Sequence, residues 1–230
     1  MSLALVVLAL SLVALWSVED NSSQGLNVLP GESSTPADGE LNTARTVFEV
    51  TGSDLVVGLN RERDKLDSDR TTLGASTVLE FPDKLDTLPE LQSAKRIVAE
   101  ERVLLDEYDR RCERVAAEAL ERLKRDISSA ARRDEMAGRM QAFSQKLLAL
   151  GHGLTAGARE VCDNTDGIIQ FLISRVEHFT VEKNNFIFDN QADAREMQRL
   201  ADHRRQVLAR QRQRAAEALN KGREPKGHLD

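Results

Sequence analysis

From Val98 to Ile127 the apolar side chains fall at Val98, Leu105, Tyr108, Cys112, Val115, Ala119, Leu123 and Ile127. The steps between them are 7, 3, 4, 3, 4, 4 and 4 residues. Steps of three and four wind onto one face of an α-helix, whereas a strand needs steps of two. Glu and Arg fill the other faces, which is the pattern of a helix that packs along one stripe and is solvated elsewhere. Aromatic residues are only 4 % of the chain and charged residues 30 %. That thin core and heavily charged surface suit helical bundles and coiled coils better than a large globular domain.

The helical region has a defined start. Thr87-Leu88-Pro89-Glu90 fits a capping box, in which the Thr side chain accepts a backbone N–H and Glu90 reaches back. Pro89 costs no hydrogen bond in the first turn. The stripe weakens at Ser128-Ser129, Asp134 and Gly138, where a kink or short break is expected, and resumes at Met140, Phe143 and Leu147. Gly151-His152-Gly153 reads as the stop of this first helix, since glycine commonly ends helices. A second helix is expected from about Thr155, with Val161, Ile168, Leu172, Val176 and Phe179 on one face. Lys183-Asn184-Asn185 marks a turn or a polar stretch of helix. A third helix from about Asn190 carries Met197, Leu200, Val207, Leu208, Ala215 and Leu219, and ends at Gly222 and Pro225. Residues 87–222 are therefore expected to form an elongated antiparallel helical bundle or coiled coil, followed by a disordered tail at 223–230. A single helix from Thr87 to Leu150 would be roughly 95 Å long at 1.5 Å per residue. Its shorter successors could not cover it, so self-association is expected along Val98, Leu105, Tyr108, Cys112, Val115 and Ala119.

Ahead of the bundle the chain reads in three pieces. Met1 to Val18 carries no charged side chain, and is just long enough to span a bilayer, which needs about 17 to 25 apolar residues. Trp16 falls where an interfacial aromatic would sit. A cleaved signal peptide is the rival reading, although no Lys or Arg precedes the run and no small-residue pair follows it. Residues 19–45 have linker composition, rich in Ser, Gly, Pro and Asn. Residues 46–86 read as a small mixed segment. Thr46 to Val50 and Thr77 to Phe81 alternate like short strands, and Asp54 to Asp69 reads as a helix between them. The fold class is thus mainly all-α, behind an N-terminal transmembrane or signal segment.

Charge is uneven along the chain. The net charge is −6, yet Arg195 to Asp230 holds ten Lys or Arg against five Asp or Glu, which leaves −11 for the rest. Arg195, Arg199, Arg204, Arg205, Arg210, Arg212 and Arg214 form a basic surface on the last helix. It lacks the interleaved aromatics of a nucleic-acid site, so its expected partners are acidic protein surfaces or anionic lipid, not nucleic acid.

No residue pattern carries catalytic chemistry. The sequence holds no Gly-rich phosphate loop and no nucleophile elbow. His152, His178, His203 and His228 form none of the paired motifs of metal sites, so neither metal nor cofactor is expected. Asp163 and Asp166 read as acids in the first turn of a helix. Reversal at Gly151 would hold Cys112 and Cys162 roughly 45 Å apart in height. A disulfide needs Cα atoms within about 7 Å, so both are expected to be packing residues, with a Cys112–Cys112 bridge across a parallel dimer as the alternative. The expectation is a non-catalytic, single-pass membrane protein. Its N-terminus lies inside and its body outside the cytoplasm, and it assembles with itself or with other subunits of an envelope complex. The alternative is a cleaved soluble bundle that acts as a chaperone or ligand-binding module.

Overall fold

The computed structural model describes residues 36–74, 77–80 and 82–221. They form four helices and one hairpin: α1 Pro36–Leu73, α2 Leu88–Asp126, α3 Ala130–Ile173, β1 Phe179–Glu182, β2 Asn185–Phe188 and α4 Gln191–Lys221. A short 3-10 turn at Pro82–Lys84 precedes α2. The mainly all-α expectation holds. The expected anchor at 1–18, most of the linker and the tail at 223–230 lie outside the described residues. Among the described residues no helix is long and apolar enough to cross a membrane.

Among the described residues the strands expected at 46–50 and 77–81 are absent: 46–50 is helix and 77–80 is turn, with Phe81 outside the described residues. Residues 46–50 are helical, and so is the last part of the expected linker, because α1 runs unbroken from Pro36. Five alternating residues are too few to outweigh the longer pattern that encloses them. Ala44, Thr51, Leu55, Leu59 and Leu66 are buried at steps of seven and four, the helical period. Pro36 opens α1 at a position where a missing N–H costs nothing. Gly74 closes it with φ of 68°, its N–H donating to the Arg70 carbonyl at 3.0 Å.

The capping box at Thr87 forms in part. The Glu90 carboxylate accepts from the Thr87 N–H at 3.2 Å, and the Thr87 hydroxyl donates to the same carboxylate at 2.7 Å instead of accepting from the backbone.

The chain reverses at residues 127–129, not at Gly151. Ile127 is buried, and the Arg133 side chain reaches back to donate to the carbonyls of Ile127 at 2.9 Å and Ser128 at 3.0 Å. Those carbonyls belong to the loop between the two helices, so one guanidinium from the first turn of α3 holds the reversal closed. Gly151-His152-Gly153 sits inside α3. A glycine ends a helix by adopting positive φ, and Gly74 is the only described glycine that does so. The single long helix from Thr87 to Leu150 is therefore two helices.

The described residues fall into two compact units, one within the bounds Met1–Glu62, Arg110–Gly151 and Arg214–Asp230, the other within Arg63–Asp109 and His152–Gln213. In the first unit α1 and α2 are antiparallel, since Asp54 meets Arg122 and Glu62 meets Arg111. Its buried side chains include Leu55, Leu59, Cys112, Ala116, Leu123, Met136 and Met140. Gly58 lies where a Cβ would stand 2.8 Å from the Val115 Cγ1, a close approach of α1 and α2.

The second unit packs Leu66, Leu91, Ala94, Val98 and Leu105 against Ala158, Cys162, Ile168, Ile169 and Leu172. Its hairpin was not expected. Lys183 and Asn184 have φ of 50° and 65°, the two positive values of the tight turn that matches strand twist. The ladder pairs Phe179 with Phe188 and Val181 with Phe186. Phe179 is buried, with Phe186 and Phe188 ring centroids 5.5 and 5.6 Å away, and Phe188 continues onto Phe171 at 5.7 Å. This aromatic layer gives a two-stranded ribbon the support it lacks alone. Asn190 then caps α4, its side-chain oxygen accepting the Asp193 N–H at 2.8 Å.

Candidate functional site

The stripe expected to be an assembly face is covered by the chain itself. Val98 and Leu105 are buried in the core of the second unit, with Tyr108 half-buried against it. Cys112 and Ala119 are buried in the first unit, and Val115 is half-buried on Gly58. Burial of these side chains within the chain needs no second copy, because the helix read at Asp54 to Asp69 is part of a longer α1 and α3 begins earlier than expected.

Three of the seven arginines of the basic surface on α4 are paired locally. Arg199 pairs with Glu196 at 2.6 Å, Arg205 with Asp202, and Arg210 with Glu160 of α3 at 2.6 Å. Glu196 first holds the Arg199 guanidinium pKa above its usual value through hydrogen bonding, and the Glu196 carboxyl is lowered in return. Arg204 is half-buried, and burial lowers its pKa against the charge of Glu80. Arg195, Arg212 and Arg214 are exposed. Arg195, Gln198, Arg199, Asp202, His203 and Gln206 line a shallow open depression on one face of α4. Its positive charge is thus smaller than the count of arginines implied.

The densest polar arrangement lies between α2 and α3 in the second unit, and it was not anticipated. Arg159 donates to Asp106 at 2.8 and 3.0 Å, to Asp109 at 2.6 Å and to the Thr155 hydroxyl at 3.2 Å. Thr155, itself buried, donates to Asp109 at 3.0 Å. The hydrogen bond to Asp109, then that to Asp106, raises the Arg159 pKa against desolvation. Farther along, Arg102 reaches Asp163 at 2.8 Å and Asp166 at 3.4 Å. Burial opposes the Arg102 charge, but the hydrogen bond to Asp163 and the charge of Asp166 outweigh it and raise its pKa. Asp163 and Asp166 are thus mid-helix partners of Arg102, not acids of a first turn.

A third layer joins α1 to α2. Glu101 is buried and receives Arg70 at 2.6 Å. The buried Cys162 thiol lies beside it. Burial first, then the Glu101 charge, pushes the Cys162 pKa up to about 12. That thiol stays protonated and is neither nucleophile nor ligand near neutral pH. Both cysteines are buried, and no Cys112–Cys162 disulfide forms.

The chemistry of these layers is cross-bracing. Each carboxylate named here faces a guanidinium carried by a neighbouring helix, so its oxygens are committed to ties between helices. Among the described residues no group of His, Cys, Asp and Glu could hold a metal ion. A sequence signal for the bracing existed in part. Asp106 and Asp109 are three residues apart and Thr155 and Arg159 four apart, each pair on one helix face. Which faces meet required knowing that the chain reverses at residue 127. No family model matches the chain, and no curated protein or solved structure does.

Proposed function

We propose that the protein is a non-catalytic helical scaffold, tethered to a membrane by residues 1–18, whose braced body spaces or assembles components of an envelope complex. The observation that carries this reading is the pairing of two features. An uncharged apolar run of bilayer length leads the chain. The body behind it ties its own helices together through buried and half-buried ion pairs, from Arg70–Glu101 to Arg159–Asp109. Such ties fix the register of neighbouring helices, which a spacer needs. The body is read as lying outside the cytoplasm.

Membrane fractions from cells that express the full chain test the tether. The chain should resist alkaline extraction and float with lipid, while a version lacking residues 1–18 stays soluble. Recovery of a soluble chain shortened by about 2 kDa, roughly an 18-residue segment, overturns the tether and favours a cleaved soluble bundle. Impermeant maleimide on cysteines placed at residues 19–35 reads the side: labelling of intact cells places the body outside.

A further inference from the structure

The outer face of α1 carries a regular seam that the chain leaves open. Gly39, Thr43, Thr46, Val50, Ser53 and Val57 follow one another at steps of 4, 3, 4, 3 and 4, the heptad spacing of a coiled-coil seam. All six are exposed, and Val50 and Val57 expose 50 % and 54 % of their surface. Thr43 and Thr46 donate their hydroxyls to the carbonyls four residues back, at 2.9 and 3.0 Å. Their hydroxyls are therefore satisfied within the helix. The seam is narrow and lightly apolar, and small side chains let a second helix approach closely.

We propose that this seam binds a second copy of the chain, with the two α1 helices antiparallel. The flanking charges select that partner and that direction. In an antiparallel pair centred on residues 50 to 53, Val50 meets Ser53 of the other copy and Val57 meets Thr46. Glu40 then faces Arg61 of the other copy, twice by symmetry. Glu40 and Arg61 have no partner among the described residues, whereas Arg45 and Asp54 are tied to Glu49 and Arg122. Val47 faces Asp54, and Glu49 faces Val56, so no like charges meet. A parallel pair would instead set Glu49 against Asp54 of the other copy, again twice. The seam names the assembly partner for the scaffold reading and rests on that reading only for its biological use.

Sedimentation of the full chain in mild detergent, with disulfide trapping, tests the proposal. A seam this small gives a weak dimer, with a dissociation constant of about 10 µM expected from its size class. Two populations, Thr46→Cys and Val57→Cys, should cross-link when mixed and not alone. In the antiparallel pair like residues stand about 16 Å apart in height, beyond disulfide reach. Glu40→Arg should weaken the dimer about tenfold, and the exchange Glu40→Arg with Arg61→Glu should restore it to within about threefold. Helix content by circular dichroism should be unchanged, since all these side chains are exposed. A monomer at 100 µM, about ten times that dissociation constant, overturns the seam, as does a dimer that ignores Val50→Glu. Cross-linking of Val57→Cys with itself overturns the direction, and a dimer indifferent to the charge exchange overturns the register. A membrane-retained monomer removes the seam and leaves the tether; a soluble dimer does the reverse.

Discussion

Gly58→Ala should change sign according to what stands at position 115. Two effects compete. A glycine inside a helix costs about 1 kcal/mol relative to alanine, so the substitution should stabilise wherever the added methyl has room. At Gly58 it does not, since an ideal Cβ lies 2.8 Å from the Val115 Cγ1. Val115 is β-branched and has one favoured rotamer in a helix, so it cannot swing aside cheaply. Overpacking of this kind costs about 1 to 3 kcal/mol. In the wild-type background Gly58→Ala should therefore be net destabilising by about 1 kcal/mol. In a Val115→Ala background the clash is gone, and the same change should stabilise by about 1 kcal/mol. The coupling between the two sites should be about 2 kcal/mol, measured as a double-mutant cycle by urea unfolding followed by circular dichroism. Gly138 is the control: it lies in α3 with open space around its Cβ position, so Gly138→Ala should stabilise in both backgrounds. If Gly58→Ala stabilises the wild type as Gly138→Ala does, α1 and α2 are not in close approach there and the packing of the first unit is wrong.

The other perturbations read different layers. Arg70→Met should cost about 3 to 5 kcal/mol, because it leaves the buried Glu101 carboxylate unpaired; Glu101→Leu added to it should recover much of that loss in the same urea titration. Arg210→Ala should move stability by less than about 1 kcal/mol, since both it and Glu160 are substantially exposed. Leu105→Ala should lower stability by about 2 to 5 kcal/mol at any protein concentration; a variant of native stability but altered oligomeric state would show that the stripe is an assembly face after all. The Cys162 thiol has a folded pKa raised from 9.0 to about 12, so the unfolded chain releases its proton first. Its contribution is therefore present in full below about pH 9 and is lost as pH rises toward 12, and Cys162→Ala should flatten the decline of the unfolding midpoint over that range.

Much of the fold could be read from local chemistry. The start of α2 at Thr87, the start of α4 near Asn190 and the turn at Lys183 to Asn185 are each set by side chains within a few residues. The failures share a physical origin in competition between a local signal and a longer one. Thr46 to Val50 satisfies a strand pattern over five residues and a helical one over more than twenty, and the longer pattern buries more. Gly151 and Gly153 look like a stop, but a glycine ends a helix only if the backbone turns left-handed there, and nothing nearby makes it do so. Ser128-Ser129 was the weaker signal and is the true reversal. What secures it is Arg133, a residue whose ordinary reading is a solvated helix face. The hairpin went unseen because Phe179, Val181, Phe186 and Phe188 alternate over only four residues on each side of the turn.

The stripe from Val98 to Ala119 shows what a helical period can and cannot establish. It says that one face is covered, and Val98, Leu105, Cys112 and Ala119 are all buried. It does not say by what, since a neighbour helix of the same chain and a helix of another copy satisfy it equally. The cover can be assigned only once each helix has its full length, and α1 runs from Pro36 to Leu73 where the sequence reads a helix only from Asp54 to Asp69. Once α1 is present, the question moves to the face of α1 that points away from its own unit. That face keeps heptad spacing although nothing among the described residues packs on it. A solvated helix face has no reason to hold Val50 and Val57 seven residues apart, or to leave Glu40 and Arg61 unpaired on the same edge of that seam. The proposed assembly is therefore placed where the period persists without an internal cover.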